Sequence, residues 1–306
     1  MGLATTAEQV GLMFVLMLLG LFAAKRGWLG PEARLGLTNI LVYFVTPCVI
    51  IQAFDRPYSP DQLADLGLVT LIDVGLFTLV ILGIHLATRR LADPDRRRVL
   101  RFATVYSNAG FLGLPLAQAL LGDTGVFFVA MYVVLFNVFV WSHGIGLFPG
   151  GAGRPIRRLL ATPAIPAIVV GLVLFATSYR LPSIVSTGLG YLSAINAPAS
   201  MLVVGASLAG VSWRAALTDR WSWLGVSLRN VVVPLVGLLI LWPIPLPNLV
   251  KLAVLIPLSA PIAAFLVMFS VMRDVDTKYP AALVWLSTLV ALVSLPGLLA
   301  LAGWLW

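Results

Sequence analysis

The sequence predicts an all-α integral membrane protein: ten transmembrane helices in two inverted five-helix repeats, with helices four and nine broken. Three observations predict this. The 306-residue chain is 60% hydrophobic and only 10% charged, with a mean hydropathy of +1.01; soluble domains carry about 25% charged residues. Apolar segments long enough to span, about 20 residues each, recur ten times. Two of them, in corresponding positions of the two halves, are interrupted by proline near mid-depth.

In order, the apolar segments are roughly 7–24, 35–54, 63–87, 99–121, 124–148, 161–179, 184–210, 221–242, 249–271 and 278–304. The first has no basic residue before it and opens with Glu8, so it reads as a retained span and not as a signal peptide. The loops are short, which makes residues 1–306 one membrane domain. Gly150-Gly151-Ala152-Gly153 marks the boundary between repeat one (1–150) and repeat two (151–306). The single cysteine, Cys48, excludes an intramolecular disulfide.

The net charge of +8 invites a nucleic-acid partner, but the basic residues sit in short loops between apolar spans, the positive-inside pattern. Sixteen of the twenty lie on one side: Lys25, Arg26 and Arg34; Arg89, Arg90, Arg96, Arg97, Arg98 and Arg101; Arg154, Arg157 and Arg158; Arg214 and Arg220; Arg273 and Lys278. That side is expected to be cytoplasmic, with both termini outside, in the plasma membrane of a bacterium. Five spans is an odd number, so the second half enters with opposite orientation, as an inverted repeat requires.

The interruptions carry the functional expectation. In Y-S-N-A-G-F-L-G-L-P-L-A-Q-A-L-L-G (106–122), Pro115 clashes with the carbonyl of Phe111, so a regular helix is expected to break there. Gly110 and Gly113 weaken the same turns. The ninth span carries Pro257 and Pro261 in I-P-L-S-A-P. Opened backbone at membrane depth must be satisfied by protein or by a water-filled cavity. Paired interruptions in two halves point to a midplane substrate site.

The motifs are also specific to a family. L-T-N-I-L-V-Y-F-V-T-P (37–47) resembles the second span of the auxin efflux carriers. S-N-A-G-F-L-G-L-P-L-A-Q-A-L-L-G (107–122) resembles their first crossing span, and P-A-S-M-L-V-V-G-A-S-L-A (198–209) their seventh. Pro261 with L-S-T-L-V-A-L-V-S-L-P (286–296) resembles their ninth and tenth. The resemblance implies a fold like that of sodium–proton antiporters and bile-acid symporters, in which the broken helices four and nine cross near Pro115 and Pro261. It implies scaffold helices over about 7–54 and 161–210, and transport-domain helices over about 63–148 and 221–304. It implies an elevator-type carrier of small organic anions, auxin-like or dicarboxylic, and a homodimer formed through the scaffold. The long cytoplasmic loop of many plant members is absent.

Among polar residues, Asn108 is the leading substrate contact, with Ser107, Gly110 and Pro115 beside it and Ser259 and Pro261 at the second break. Amides, hydroxyls and half-helix N-termini can hold a carboxylate without a buried fixed cation. Asn108 could instead only satisfy backbone freed by Pro115. Asn39 and Asn196 on the scaffold either bond between helices or face the cavity. Asp73, central in span three, is a candidate to carry a coupling proton or sodium ion, or is a structurally tied carboxylate. The resemblance supports the coupling role for Asp73, and it adds Asn137 at similar depth. Phe77 stands where plant members carry lysine, so no compensating charge is expected from that helix. Arg229, in the repeat-equivalent span eight, either pairs with Asp73, contacts the substrate or snorkels to the interface. The pairing would put Arg229 where related carriers hold sodium. His85 and His143 are expected at the interface, near the cytoplasmic ends of their spans and beside different loops, with a proton relay as the alternative, and Trp141, Trp242, Trp304 and Trp306 in an aromatic belt.

A carrier is therefore the leading function. The chain has no H-E-x-x-H, no paired aspartates and no G-x-S-x-G, so no enzyme, metal or cofactor is expected. A sodium–proton antiporter of the same fold would usually show two adjacent mid-membrane carboxylates, and Asp73 stands alone. A membrane sensor derived from a transporter is the alternative of another class.

Overall fold

The computed structural model describes residues 3–150, 162–209 and 217–306. The proposed boundary at Gly151–Gly153 and the basic positions Arg154, Arg157, Arg158 and Arg214 lie outside the described residues. Among the described residues every regular element is a helix. In chain order they are α1 (Leu3–Lys25), α2 (Pro31–Phe54), α3 (Pro60–Ala87), α4 (Pro94–Val105), α5 (Ala109–Gly144), α6 (Ala164–Thr177), α7 (Ser183–Ser207), α8 (Arg220–Leu241), α9 (Asn248–Ser259), α10 (Phe265–Met272) and α11 (Lys278–Leu305). Seven of these are long and apolar enough to cross a membrane: α1 over Glu8–Lys25, α2, α3, α5, α7, α8 and α11. The protein is an all-α membrane protein.

Helix starts follow local chemistry. Asp93 caps α4 by accepting from the Asp95 and Arg96 amides at 3.0 and 3.1 Å, with Pro94 at the first helical position. Ser59 caps α3 in the same manner, accepting from the Gln62 amide at 3.3 Å, with Pro60 next. A side-chain oxygen satisfies an orphan N–H at such a start, and proline needs no N–H there.

Three π turns explain how prolines enter long helices without breaking them. Leu41–Val45 precedes Thr46-Pro47, Ala109–Gly113 precedes Leu114-Pro115, and Leu228–Val232 precedes Val233-Pro234. In each, the residue before proline donates its N–H to the carbonyl five residues back: Thr46 to Leu41, Leu114 to Ala109, Val233 to Leu228. The wider turn moves the carbonyl that proline would strike, and a fresh α segment begins with proline in its first turn.

This relocates the first break. The helix does not open at Pro115 but seven residues and more upstream, at Tyr106–Asn108, where Tyr106 is extended (φ −101°, ψ 110°). The second break spans residues 260–264, between α9 and α10, and contains Pro261. α5 itself turns once, at Gly122 (φ 62°, ψ −159°), a backbone conformation that glycine adopts freely. Gly122 thus separates the second half of span four from span five.

Small residues set the closest crossings. A methyl group on Gly20 of α1 would collide with the Leu202 carbonyl of α7, and one on Gly205 of α7 with the Met17 carbonyl of α1. These contacts hold α1 along α7, while the second half of α2 packs against α6 and α7. Near the breaks, a methyl on Gly113 would lie 3.0 Å from Pro257 Cα, whereas one on Gly110 would meet nothing within 4 Å. Gly113 permits the approach of α5 to α9, and Gly110 does not serve packing.

Candidate functional site: the meeting of two broken helices

The two extended segments lie against each other as a short antiparallel pair centred on Ser107 and Ile262. The Asn108 amide donates to the Pro261 carbonyl (2.6 Å) and the Ala263 amide to the Tyr106 carbonyl (2.9 Å). Backbone groups that each helix gives up are thereby met by the other, as burial in lipid demands. The Ile262 amide donates to Ser287 Oγ (2.9 Å), whose hydroxyl donates to Asn230 Oδ1 (2.6 Å). Asn230 Nδ2 donates in turn to the Ser287 carbonyl (2.9 Å). Asn230 and Ser287 escaped the sequence reading. Their signal was weak: an amide next to Arg229, and one serine in an apolar span.

Four half-helix ends converge here, and the two kinds are treated differently. The carbonyl ends belong to α4 and α9. Arg229, fully buried, fills them. Its Nη1 donates to the Thr104 and Val105 carbonyls, both at 3.1 Å. Its Nε donates to the Ala260 carbonyl (3.2 Å) and its Nη2 to the Leu258 carbonyl. The side chain does not snorkel. Nor does it form an ion pair with Asp73: among the described residues no carboxylate comes within 4.0 Å of it. The hydroxyl of Tyr132 shares a hydrogen bond of 3.1 Å with Ser107 Oγ.

The amide ends belong to α5 and α10. They face a cavity of about 100 Å³ lined by Ser107, Asn108, Gly110, Asn137, Ala263 and Phe265, among others. A second cavity, of about 320 Å³, also includes Asn108, together with Arg34, Thr38, Ser207, Trp285 and Thr288. Asn108 is therefore common to both. Its side-chain amide makes no hydrogen bond among the described residues, while its backbone is engaged on both sides. It is not needed to satisfy backbone freed by Pro115. Asn137 Nδ2 is held by the Val133 carbonyl at 2.7 Å.

The other expected residues divide. Asp73 is fully buried in the middle of α3, and neither carboxylate oxygen has a hydrogen-bond partner among the described residues. Ser259 is buried with its hydroxyl unpartnered, and neither Ser259 nor Pro115 lines either cavity. Pro261 contributes its carbonyl to the crossing and no cavity surface. Asn196 bonds Gln118 Oε1 (3.0 Å), tying α7 to the second half of the broken span. Gln118 is another residue that sequence reasoning passed over. Asn39 is exposed on α2 and joins neither cavity nor helix–helix bond among the described residues.

The histidines are not apart. Their rings lie 5.2 Å between centroids, and His143 Nδ1 is 2.8 Å from the Tyr106 hydroxyl, which donates to the Phe139 carbonyl at 2.9 Å. Trp141 leaves the expected belt and packs against Phe265 and Phe269 at 6.0 and 5.3 Å between centroids. Trp242 and Trp304 are exposed, as a belt requires.

Comparison with known proteins agrees with this architecture. A family described as "Membrane transport protein" matches residues 5–156 and 152–299. The chain is 28% identical to an uncharacterized transporter of Methanothermobacter thermautotrophicus over 296 residues, covering 95% of this chain and 96% of the relative. It is 26% identical to an uncharacterized transporter of Methanocaldococcus jannaschii over 310 residues, covering 97% and 98% of the two chains. Matched along almost its whole length, the chain belongs to the membrane transport protein family, the group of the auxin efflux carriers that its motifs resemble.

Proposed function

We propose that this membrane transporter is a secondary active carrier for a small organic anion, auxin-like or dicarboxylic. One observation carries the reading: the amide ends of two broken helices open onto a common cavity beside a free Asn108 side chain, while the carbonyl ends are closed by Arg229. The first amides of a helix lack intrahelical partners, and the helix dipole favours an anion there. Asn108 and Ser107 add neutral polar contacts, and Phe111, Phe136 and Phe265 add apolar ones. That mixture suits a carboxylate on an apolar body.

The fuller scheme has ten spans as two inverted repeats. Spans four and nine are the broken pairs α4 with the start of α5, and α9 with α10. Helices α1, α2, α6 and α7 form the scaffold, and the remainder moves against it as an elevator. The 320 Å³ cavity is the substrate's route toward the basic loops, with Arg34 the only charged side chain on its lining among the described residues. Orientation by those loops puts that route on the cytoplasmic side and both termini outside. Asp73 is the site of a coupling cation, and a proton fits it best because, among the described residues, its oxygens have no hydrogen-bond partner and no cluster of acidic, histidine or cysteine side chains could hold a metal ion.

The test is uptake of labelled indole-3-acetate, malate and malonate into proteoliposomes under imposed proton, sodium or voltage gradients. Saturable uptake of at least one acid, abolished in Asn108→Ala, is expected. Absence of uptake for every acid under every gradient would refute the reading.

A further inference from the structure

The carbonyl side of the crossing has a property that the anion site does not explain. Four carbonyl oxygens from two separate helices, those of Thr104, Val105, Leu258 and Ala260, converge on one point deep in the protein. The last carbonyls of a helix have no intrahelical partner, and each helix end carries about half an elementary negative charge. Two such ends facing each other hold close to one full negative charge. Interrupted helices elsewhere use such carbonyls to coordinate a monovalent cation. Here the place is taken by a side chain. Arg229 is the largest fully buried side chain among the described residues. It is delivered from α8 by the π turn Leu228–Val232, and among the described residues it has no acidic partner within 4.0 Å. A guanidinium stays protonated under all working conditions, and its planar fork reaches several oxygens at once.

We infer that Arg229 is a built-in cation occupying the position a coupling sodium ion would take, so that the protein neither binds nor requires sodium at the crossing. The guanidinium remains in place through the cycle and travels with α4 and α9. Its consequence for transport rests on the carrier reading above; the cation site itself does not.

The experiment needs no substrate. Purified protein in detergent is unfolded thermally in sodium chloride and in choline chloride of equal ionic strength, and radioactive sodium binding is measured at equilibrium. For the wild type the two melting curves should superimpose, and saturable sodium binding should be absent. Arg229→Gly empties the carbonyl cage. Its midpoint should fall, and recover in part with sodium chloride or methylguanidinium chloride but not with choline chloride. Sodium-specific stabilisation of the wild type, or saturable sodium binding to it, overturns the inference. So does a folded Arg229→Gly that responds to neither small cation. If that variant does not fold, the wild-type measurements decide alone. Failure of every acid in the uptake assay would remove the carrier reading and leave this result standing.

Discussion

The two sides of the crossing use the same backbone and do opposite things with it. On one side the carbonyl ends of α4 and α9 are closed by the fully buried Arg229. On the other the amide ends of α5 and α10 border a cavity in which a neutral Asn108 points into unfilled volume. A broken helix exposes a positive and a negative end whether or not either is wanted. Filling the negative end with a fixed cation leaves the positive end as the one place where a mobile charge of defined sign is welcome. On the carrier reading proposed above, this arrangement favours an anion before any specific side chain contacts it.

The contrast can be broken from its filled side. Arg229→Met should have the largest effect, because it strips four carbonyls of their partner in a site closed to water. Removing one partner of a buried charged cluster costs about 3–5 kcal/mol. Thermal unfolding in detergent should show the loss, and a variant as stable as the wild type would mean the carbonyls find other partners. Next comes the approach of the two helices. Gly113→Leu forces a side chain against Pro257, and overpacking of this kind costs about 1–3 kcal/mol. Gly110→Ala, one turn away with nothing within 4 Å of the added methyl, should leave the melting temperature unchanged. Equal sensitivity of the two glycines would contradict the packing described.

The open side should respond in function and not in folding. Asn108→Ala removes an amide that bonds nothing among the described residues, so its stability should stay within about 0.5 kcal/mol, as for substitutions away from packed features. Acid uptake should nevertheless disappear. Asp73→Asn keeps shape and burial. It should flatten the dependence of uptake on external pH while leaving the unfolding curve nearly in place; an unaltered pH profile would make Asp73 structural. The smallest expected effect on transport is that of Gln118→Ala, which cuts two hydrogen bonds to α7, one from Asn196 Nδ2 (3.0 Å) and one to the Ser193 carbonyl (3.4 Å). Each costs about 1 kcal/mol, and their loss should alter the uptake rate without altering which acid is carried.

Much of the site was legible in the chain, unevenly. Asn108, Ser107 and Gly110 were marked by their place in a polar, glycine-bearing stretch of a span, and they do line the cavity. The position of the break was misplaced, because proline was taken as the interruption. A π turn absorbs Pro115, and the helix opens where Tyr106 and Ala263, and Asn108 and Pro261, can exchange backbone hydrogen bonds. For Arg229 the sequence leaves three choices: Asp73, a substrate carboxylate or the interface. Its partners are main-chain carbonyls, which carry no residue signature. Asn230, Ser287 and Gln118 were missed for a related reason: each is a neutral polar residue whose partner lies many residues away.

What the sequence determined by itself is the environment and the class of fold. Apolar runs of spanning length leave helices as the stable way to bury the backbone. Proline and glycine in two of those runs mark helices that cannot run straight. What only the tertiary structure decided is the pairing of the two breaks and the sign of charge at each of their ends. Those depend on which half-helix faces which, a relation between residues about 150 positions apart that no local pattern encodes. A buried cation among carbonyls and an unbonded amide beside a cavity become visible only once the two halves are packed together.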